Sequence, residues 1–409
     1  MSKFDLDRFN LDKVKLGEQP VKLKKTSYTK PKVKDGMLVD KDGNPIGTKG
    51  DMYTKVIMDK ILQEGCLDHD PRPHYEDFYE GAEYDKKTRT VITKEGERIK
   101  VGENEEIFVK EKGVEIWVPA HTISVNNGVE CTYDLSKGET PMITLRPIAV
   151  KASIAEILWI YQKQSNDLVL FDEMLGRCTW EEDHKINNWW NDWALKYQNE
   201  EDLKENGGLY TLDDKSDYLL NDDGHPTIGA CYGGTTGPRD MIRSQVINAI
   251  RSNPDGRRNI TCLWQQDDFE KRHGLKPCAF LTIWNVRHDW DGEDYLDMTL
   301  VQRSSDFATA GCINQVQYSA LLIMVAKELD IKPGKFTWKP INIQLYDRHL
   351  DQAIEMLNRE PVSDIDATIK VRDGVKFDDL TTADVKVLDA DAIQKVKTKN
   401  PQFKFPLGI

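Results

Sequence analysis

Two segments near residue 280 bring together a thiol and a permanent positive charge. Lys276-Pro277-Cys278-Ala279 opens an apolar, aromatic strand, and the strand that follows ends in an Arg303-Ser304 step. The thiolate is the reactive form of cysteine, and a nearby cation favours it. Cys278 is therefore a candidate nucleophile, with Arg303 beside it. A buried structural cysteine next to a surface arginine is the alternative that these residues alone leave open.

A carboxylate in an apolar helix is a second candidate. The spacing of Ile154, Ile157, Leu158 and Tyr161 predicts a helix over residues 152–163 that is apolar on nearly all sides, with Glu156 in its middle. Such a carboxylate has to be paired, neutralised or used. A salt bridge to a flanking lysine and a functional carboxyl with a raised pKa both remain open.

Aromatic residues flank two further segments. Trp189, Trp190 and Trp193 lie within five positions, a cluster that either packs in the core or offers a flat surface to a ring-shaped ligand. Tyr232 stands in a segment of small residues, 229–234.

Polar residues at two element boundaries complete the set. Arg257 and Arg258 are consecutive after a turn at residues 253–256. Adjacent residues on a strand point to opposite faces of the sheet. The two arginines can therefore bind one ligand only if the turn redirects one side chain, or if one of them is contributed across an interface with a partner chain. The alternative is a pair of solvent-exposed arginines without a ligand. Asn314 directly precedes a long apolar helix, where an asparagine also makes a good N-cap.

The elements that must position these residues alternate between helix and strand. The patterns predict helices near residues 52–62, 241–250 and 348–357, and strands near 257–264, 279–286, 295–302 and 341–346. Two hairpins are predicted within residues 88–120, and residues 196–224 are a polar insertion. Residues 1–50 are a lysine-rich extension, expected to be a surface arm or a partly ordered tail.

Composition limits the function classes. The net charge of -13 argues against a dedicated nucleic-acid binder, so a local arginine cluster would have to bind any anionic ligand. The seven cysteines are scattered without CxxC spacing, which indicates a reduced, cytoplasmic chain without a zinc site. The sequence contains no apolar run of membrane-spanning length.

Nine segments in a fixed order resemble the thymidylate synthase and pyrimidine hydroxymethylase family, in particular its branch from some Gram-positive bacteria and their phages. Each motif alone is common, but the ordered set is specific and extends from residue 156 to the C-terminus. The segments are Glu156 with Leu158-Trp-Ile, Trp190-Asn-Asp-Trp193, Gly229 to Gly233, Asn253-Pro-Asp-Gly-Arg-Arg258, Lys276-Pro-Cys-Ala279, Gln302-Arg-Ser-Ser-Asp306, Asn314, Tyr346 and the Phe-Pro-Leu-Gly-Ile409 end.

The resemblance implies an α+β fold in which a large mixed β-sheet packs with helices and forms a sheet-to-sheet homodimer. The catalytic domain would span residues 51–409, with the hairpin insertion near 88–120, the insertion near 196–224 and the N-terminal extension 1–50. It also implies a cytoplasmic transferase of dTMP biosynthesis that methylates dUMP reductively with 5,10-methylenetetrahydrofolate as co-substrate and without a metal.

The same resemblance assigns roles to individual residues. The catalytic residues would be Cys278, Glu156, Tyr232 and Asn314. The dUMP site would comprise Arg72, Arg257, Arg258, Gln302, Arg303, Ser304, Asp306, Asn314, Gln344 and Tyr346, with Arg257 and Arg258 donated by the partner subunit. The folate site would comprise Glu156, Trp190, Trp193, Asp306 and Ile409, the C-terminal tail closing over the complex.

Two departures from the family pattern stand out. Ala279 follows the nucleophile where many relatives have histidine, and Gln344 replaces the histidine two positions before the ribose-contacting Tyr346. An amide can still donate a hydrogen bond, but it cannot take a proton. The alternatives are a dUMP hydroxymethyltransferase, in which water replaces the hydride, and a catalytically inactive RNA-binding relative supported only by the lysine-rich arm. A Cys-His hydrolase would need a histidine base, and His349 fits no triad that the sequence establishes.

Overall fold

The structure is a computed structural model of the 409-residue chain. It describes residues 2–3, 27–68, 73–103, 105–178, 180, 185–191, 194, 218–271 and 275–406. Arg72, Trp193 and Ile409, together with most of the insertion at 196–224, lie outside these residues.

The described residues form twenty strands of different lengths. They are β1 Ser2–Lys3, β2 Ser27–Tyr28, β3 Val33–Lys34, β4 Met37–Val39, β5 Pro45–Ile46, β6 Cys66–Leu67, β7 His74–Glu80, β8 Glu83–Asp85, β9 Thr90–Ile92, β10 Arg98–Lys100, β11 Glu106–Lys110, β12 Gly113–Pro119, β13 Thr122–Asn126, β14 Cys131–Asp134, β15 Asn259–Cys262, β16 Ala279–His288, β17 Asp294–Asp306, β18 Lys332–Tyr346, β19 Lys370–Val371 and β20 Val385–Lys386.

Seven of these strands form the central sheet. Its order is β15-β16-β17-β18-β13-β6, and β14 also pairs with β18. The β17–β18 pair is parallel and the other pairs are antiparallel, so the sheet is mixed. The expected α+β fold with a large mixed sheet is confirmed. Both β17 and β18 are longer than their apolar patterns predicted, and β17 continues through the Arg303-Ser304 step to Asp306.

Nine α-helices accompany the strands. They are α1 Lys49–Glu64, α2 Val150–Tyr161, α3 Leu168–Leu175, α4 Gly233–Thr236, α5 Asn248–Ser252, α6 Gln266–Lys271, α7 Cys312–Glu328, α8 Leu350–Asn358 and α9 Ala390–Lys399 among the described residues.

Helices α2 and α7 are the buried centre of the helical layer. The side chains of α2 from Ser153 to Tyr161 are all buried, as the apolar pattern around Glu156 predicts. Thirteen residues of α7 are buried as well, and Leu321 and Leu322 are wholly inaccessible. Because both helices present apolar side chains on all sides, they are stable only where other elements cover them.

Asn314 does not cap α7. The helix begins at Cys312, directly after a π-helical turn at Phe307–Gly311, and Asn314 is its third residue. The N-cap interpretation is wrong because the preceding turn already supplies helical backbone. Its side chain is therefore not committed to a cap.

A separate β-module precedes the central sheet. We use this name for residues 74–119, which form two three-stranded sheets with the orders β11-β12-β7 and β10-β9-β8. Val91, Val114 and Ile116 are at the centre of its own small core. Both predicted hairpins are present, and β7 and β8 extend the module further toward the N-terminus than the predicted start at residue 88.

The described part of the N-terminal extension packs against the domain. Tyr28 is buried, and its hydroxyl donates to Asp59 Oδ1 on α1 at 2.6 Å. Thr48 and Asp51 form a capping box that starts α1 at Lys49, so the predicted boundary at residue 50 falls in its first turn. No helix within the described residues is long and apolar enough to cross a membrane.

Candidate active site

Cys278 lies at the start of β16, where Arg303 of β17 holds the backbone around it. The Arg303 N–H donates to the Cys278 carbonyl at 2.9 Å, and the Arg303 guanidinium donates to the carbonyls of Pro277 at 3.0 Å and Lys276 at 2.6 Å. The register pairs Ala279 with Gln302 and shifts directly afterwards. The thiol and the guanidinium are thus neighbours, as the sequence predicts, and the thiol remains partly exposed.

The charge state of Cys278 reflects two opposing effects. Burial raises the pKa of the Cys278 thiol, whereas the positive charge of Arg303 lowers it, and burial is the larger effect. Arg303 therefore favours the thiolate, as expected, but does not outweigh desolvation in the single chain. Additional positive charge near the thiol would increase its reactivity.

Tyr232 contacts the backbone of the nucleophile. The Cys278 N–H donates to Tyr232 Oη at 3.2 Å. Tyr232 itself has a φ of +46°, a left-handed value that costs energy in a residue with a bulky side chain. Gly233 follows, where an added Cβ would lie 1.7 Å from the Ser165 carbonyl oxygen. The small residues of this segment thus permit a close backbone approach that places the phenol beside Cys278.

Glu156 accepts hydrogen bonds from indoles and an amide. The Nε1–H groups of Trp189 and Trp190 donate to Glu156 Oε1 at 2.9 and 2.6 Å, and Gln317 Nε2 donates to Oε2. Burial raises the pKa of Glu156, and the three hydrogen bonds oppose the rise. Neutral donors thus surround the carboxylate, which agrees with the functional alternative rather than a lysine salt bridge. Trp190 also packs on the Tyr232 ring, with centroids 5.4 Å apart.

A chain of amides connects Glu156 to Asn314. Gln317 Oε1 accepts from Asn314 Nδ2 at 3.0 Å, and Asn314 Oδ1 accepts from Gln302 Nε2 at 3.1 Å. Gln302 Oε1 in turn accepts from the Trp338 indole at 2.9 Å. The Trp338 indole at one end only donates, and the Ser153 carbonyl and the Glu156 carboxylate at the other end accept from Gln317 Nε2, so the two ends determine which way every amide points. The partly exposed side chain of Asn314 is held in one orientation.

The end of the parallel strand pair carries four more predicted residues. β17 and β18 pair so that Asp306 lies opposite Gln344, and Ser304 Oγ donates to Gln344 Oε1 at 3.3 Å. Tyr346 ends β18 and is buried against Tyr75 and Ala120. Gln344 thus lies beside Ser304 at this end of the strand pair, and its amide nitrogen has no hydrogen-bond partner among the described residues.

Asp306 lies where the C-terminal segment reaches the site. Its Oδ1 is buried and accepts no hydrogen bond from the described part of the chain, and it lies 3.7 Å from His349 Nδ1. His349 Nε2 is 2.6 Å from the Pro406 carbonyl oxygen, which can only accept, so this nitrogen carries the proton. Phe405 packs against the same ring, with centroids 5.2 Å apart. His349 thus connects Asp306 to the C-terminal segment.

Arg257 and Arg258 are apart from the other site residues. Both are exposed at the start of β15, and neither guanidinium has a hydrogen bond or ion pair with any residue the structure describes. The β15–β16 register pairs Asn259 with Trp284, so the two arginines lie toward the end of β16 that is remote from Cys278.

The sequence reasoning missed three residues of this arrangement. Trp189 donates to Glu156, and the signal was present because it belongs to the same tryptophan cluster. Gln317 follows Asn314 by three positions, a spacing that places two residues on one helix face. His349 follows Tyr346 at the same interval, but its contact with Pro406 depends on long-range packing.

Comparison with known proteins identifies the fold and the family. A family model described as thymidylate synthase matches residues 109–400. Thymidylate synthase of Streptococcus suis is 34% identical over 364 residues, which are 88% of this chain and 100% of that protein. Thymidylate synthase of Lactococcus lactis is 36% identical over 280 residues, which are 68% of this chain and 84% of that protein.

A solved structure supports the same fold. Thermostable thymidylate synthase A from Bacillus subtilis aligns with a TM-score of 0.59 over 88% of this chain and 99% of its own, at 23% identity. The family match over most of the chain, together with a relative matched along its whole length, shows that this chain belongs to the thymidylate synthase family.

Proposed function

We propose that Cys278 is the nucleophile with which this chain carries out the reaction of its family. The chain catalyses the reductive methylation of dUMP to dTMP with 5,10-methylenetetrahydrofolate as co-substrate. The observation that supports the residue roles best is the connected set of contacts from Cys278 through Tyr232 and Trp190 to Glu156. The amide chain continues from there to Asn314.

The thiolate of Cys278 would add to C6 of the uracil ring, and the electron pair would move toward C5 and O4. C5 then bonds to the one-carbon unit as the bond from that carbon to one folate nitrogen breaks. Loss of the C5 proton then expels the second folate nitrogen and leaves an exocyclic methylene. The folate supplies the one-carbon unit and then the hydride that reduces it to a methyl group, and it leaves as dihydrofolate. Elimination of Cys278 from C6 completes dTMP. Tyr232, hydrogen-bonded to the Cys278 backbone, is the residue we place near C5 as its proton is removed.

Asn314 would recognise the uracil edge. In its fixed orientation the amide nitrogen can donate to O4 and the amide oxygen can accept from N3–H. Glu156 would move protons at O4 through the same network, since burial raises its pKa and makes the protonated form accessible. Gln302 donates to the Asn314 oxygen and thereby orients the amide that would recognise uracil.

The phosphate and sugar would lie toward Arg303, Ser304 and Tyr346. The Arg303 guanidinium donates two hydrogen bonds to the carbonyls of Lys276 and Pro277. Its remaining N–H groups would donate to a phosphate oxygen. Gln344 would donate to the sugar through its amide nitrogen. We assign Arg72 to the same phosphate site on the resemblance alone, since it lies outside the described residues.

The remaining phosphate contacts would come from a second copy of the chain. Arg257 and Arg258 are exposed and have no partner in the described part of their own chain, as expected for residues donated across a homodimer interface. The added positive charge would also counter the burial that raises the pKa of Cys278.

The folate would bind beside Trp190 and Asp306. The buried Asp306 Oδ1 without a hydrogen-bond partner fits a ligand that brings an N–H donor, and indole faces fit its ring system. Trp193 and Ile409, outside the described residues, are assigned here by resemblance. The hydroxymethyltransferase alternative is not favoured, because the matched relatives are named thymidylate synthases.

The test of the nucleophile measures both products. The chain incubated with dUMP and methylenetetrahydrofolate should form dTMP and dihydrofolate in equal amounts. Cys278→Ser should abolish turnover and keep dUMP binding, whereas Cys262→Ser, which alters another partly exposed thiol on the neighbouring strand, should retain activity. Turnover by Cys278→Ser, or a hydroxymethyl product, would contradict the proposal.

A mixing experiment tests the shared site. Cys278→Ser and Arg258→Ala chains should each be inactive, but unfolded together and refolded they should regain roughly a quarter of wild-type activity. Half of the dimers are then mixed, and each of these has one intact site. Absence of any recovery from two chains that do dimerise would show that Arg258 acts in its own subunit.

A further inference from the structure

The β-module lies mostly before the segment that the family model matches, although the 364-residue alignment with the Streptococcus suis relative includes it. Its first four strands and most of the fifth precede residue 109, where the match to the family model begins. The module nevertheless contacts the end of β18, the strand that carries Gln344 and Tyr346. Two residues of β7, the strand that joins the module to the domain, make these contacts.

Tyr75 binds a buried carboxylate next to Tyr346. Its hydroxyl donates to Asp347 Oδ1 at 2.6 Å, and the Arg348 N–H donates to the same oxygen at 2.7 Å. The Asp347 N–H donates to the His121 carbonyl at 2.9 Å. Asp347 is buried, so losing the phenol would remove one of the few donors available to this carboxylate.

Asp77 binds the next residue with both of its oxygens. Arg348 Nη1 and Nη2 donate to Asp77 Oδ1 and Oδ2 at 2.7 and 2.8 Å, a forked pair. The Arg348 guanidinium also stacks 4.0 Å from the centre of the Tyr75 ring. The paired geometry and the ring contact define the position of Arg348 more narrowly than a single surface ion pair would.

These contacts surround the residue that we place against the ribose. Asp347 and Arg348 directly follow Tyr346, whose ring is buried against Tyr75 and Ala120. The Tyr75 and Tyr346 rings meet edge to face, with centroids 6.3 Å apart. The backbone at residues 346–348 is thus fixed on one side by the central sheet and on the other by the β-module.

We propose that the β-module is a positioning element for the sugar end of the nucleotide site. Tyr75 and Asp77 are its positioning residues, and they act on Tyr346 through Asp347 and Arg348. This inference rests on the proposed contact between Tyr346 and the ribose. The module would contribute to dUMP affinity without touching dUMP, and the folate site would not depend on it.

The test compares Michaelis constants in full-length variants. Asp77→Ala should raise the KM for dUMP about five- to tenfold, leave the folate KM unchanged and change kcat less than twofold, the pattern of lost ground-state positioning. Tyr75→Phe should act in the same direction. The matched control is Glu115→Gln, which removes the negative charge from the ion pair between the buried Glu115 and the exposed Lys110 inside the module. It should lower thermal stability and leave the dUMP KM unchanged.

A charge exchange separates positioning from folding. The double variant Asp77→Arg with Arg348→Asp should restore the dUMP KM to within about twofold of wild type, because the pair is re-formed with its polarity reversed. Partial unfolding would reduce the fraction of active enzyme, which would lower the apparent kcat and leave the KM unchanged. A raised KM in the single variants that the exchange fails to lower would overturn the role of the Asp77–Arg348 pair.

Tyr346→Phe distinguishes failure of this inference from failure of the proposed site. If Tyr346→Phe raises the dUMP KM and Asp77→Ala does not, the β-module is only fastened to the domain and the proposed site stands. If Tyr346→Phe has no effect, the ribose contact is wrong and positioning through it is overturned, whatever Asp77→Ala does.

Discussion

Replacing Gln317 by leucine should disable the site without altering any residue we assign to contact substrate. Gln317 is buried between Glu156 and Asn314. Its amide nitrogen donates to Glu156 Oε2 and to the Ser153 carbonyl at 3.1 Å, and its oxygen accepts from Asn314 Nδ2 at 3.0 Å. Leucine has a similar volume but makes none of these bonds. In this variant, Gln317 no longer stabilises the orientation of Asn314 or the ionised form of Glu156.

The hydrogen bond to the carboxylate determines the size of the effect. A hydrogen bond to a charged group contributes about 1.5–3 kcal/mol, and a loss of this size corresponds to roughly a ten- to hundredfold fall in kcat/KM. The direction of the pH effect follows as well. The Gln317 hydrogen bond stabilises ionised Glu156 and so lowers a pKa that burial raises. Without it the pKa of Glu156 rises further, and the acid limb of the kcat/KM profile moves to higher pH.

Gln315→Leu provides the matched control on the same helix. Gln315 is also buried, donates to the Gly311 carbonyl at 3.0 Å and accepts from Tyr133 Oη at 2.7 Å, away from Glu156. Each variant should lose about 2–4 kcal/mol in free energy of unfolding, measured by urea denaturation. Steady-state kinetics from pH 5 to 9 would then be compared, a range that covers a carboxyl whose pKa is raised above its ordinary value and an ordinary thiol.

Equal pH profiles would refute the reasoning. Suppose that Gln317→Leu and Gln315→Leu lose similar stability and similar activity, and that the acid limb of the kcat/KM profile stays at the wild-type pH in both. The amide chain would then serve only to stabilise the core. Glu156 would then act independently of Asn314.

Three further substitutions probe the thiol, the indole and the C-terminal segment. Arg303→Gln should raise the pKa of Cys278, whose charge partner it removes, and slow iodoacetamide alkylation at pH 8 several-fold; an unchanged rate profile would mean that the guanidinium does not act on the thiol. Trp190→Phe keeps the ring but removes the 2.6 Å donor to Glu156, so kcat should fall roughly tenfold at constant dUMP affinity; a change confined to dUMP binding would speak against it. His349→Ala should raise the folate KM several-fold, and His349→Gln, which can still donate to the Pro406 carbonyl, should restore most of it; equal KM values for the two variants would show that this hydrogen bond does not hold the segment.

Local patterns were sufficient to place the nucleophile and the carboxylate. Cys278 and Arg303 come together because the two consecutive strands pair antiparallel. The alternation of apolar and polar residues allows such strands to be predicted from the sequence. Glu156 could be singled out because most of its neighbours on the helix are apolar. In both cases the relevant contacts involve elements that the sequence delimits well.

Pairing between distant elements could not be predicted in the same way. The parallel register that sets Asp306 opposite Gln344 depends on how α7 carries the chain back across the sheet. The N-cap interpretation of Asn314 failed because a π-helical turn supplied helical backbone earlier than the residue pattern suggested. Partners such as Pro406 for His349 follow from tertiary packing that no local signal encodes.

The arrangement of donors explains why this site recognises one ring edge. At one end of the amide chain the Trp338 indole can only donate, and at the other end the Ser153 carbonyl and the Glu156 carboxylate accept from Gln317. Every amide between them has one orientation that satisfies all its bonds, so Asn314 presents an acceptor and a donor in a fixed order. Reversing that order would place two donors or two acceptors against each other at both neighbours, at about 1–3 kcal/mol for each unmet buried group. If Asn314 reads the uracil edge as we propose, the preference for uracil over a ring with a donor at position 4 would rest on the groups at the two ends of the amide chain, and Asn314 would transmit their constraint.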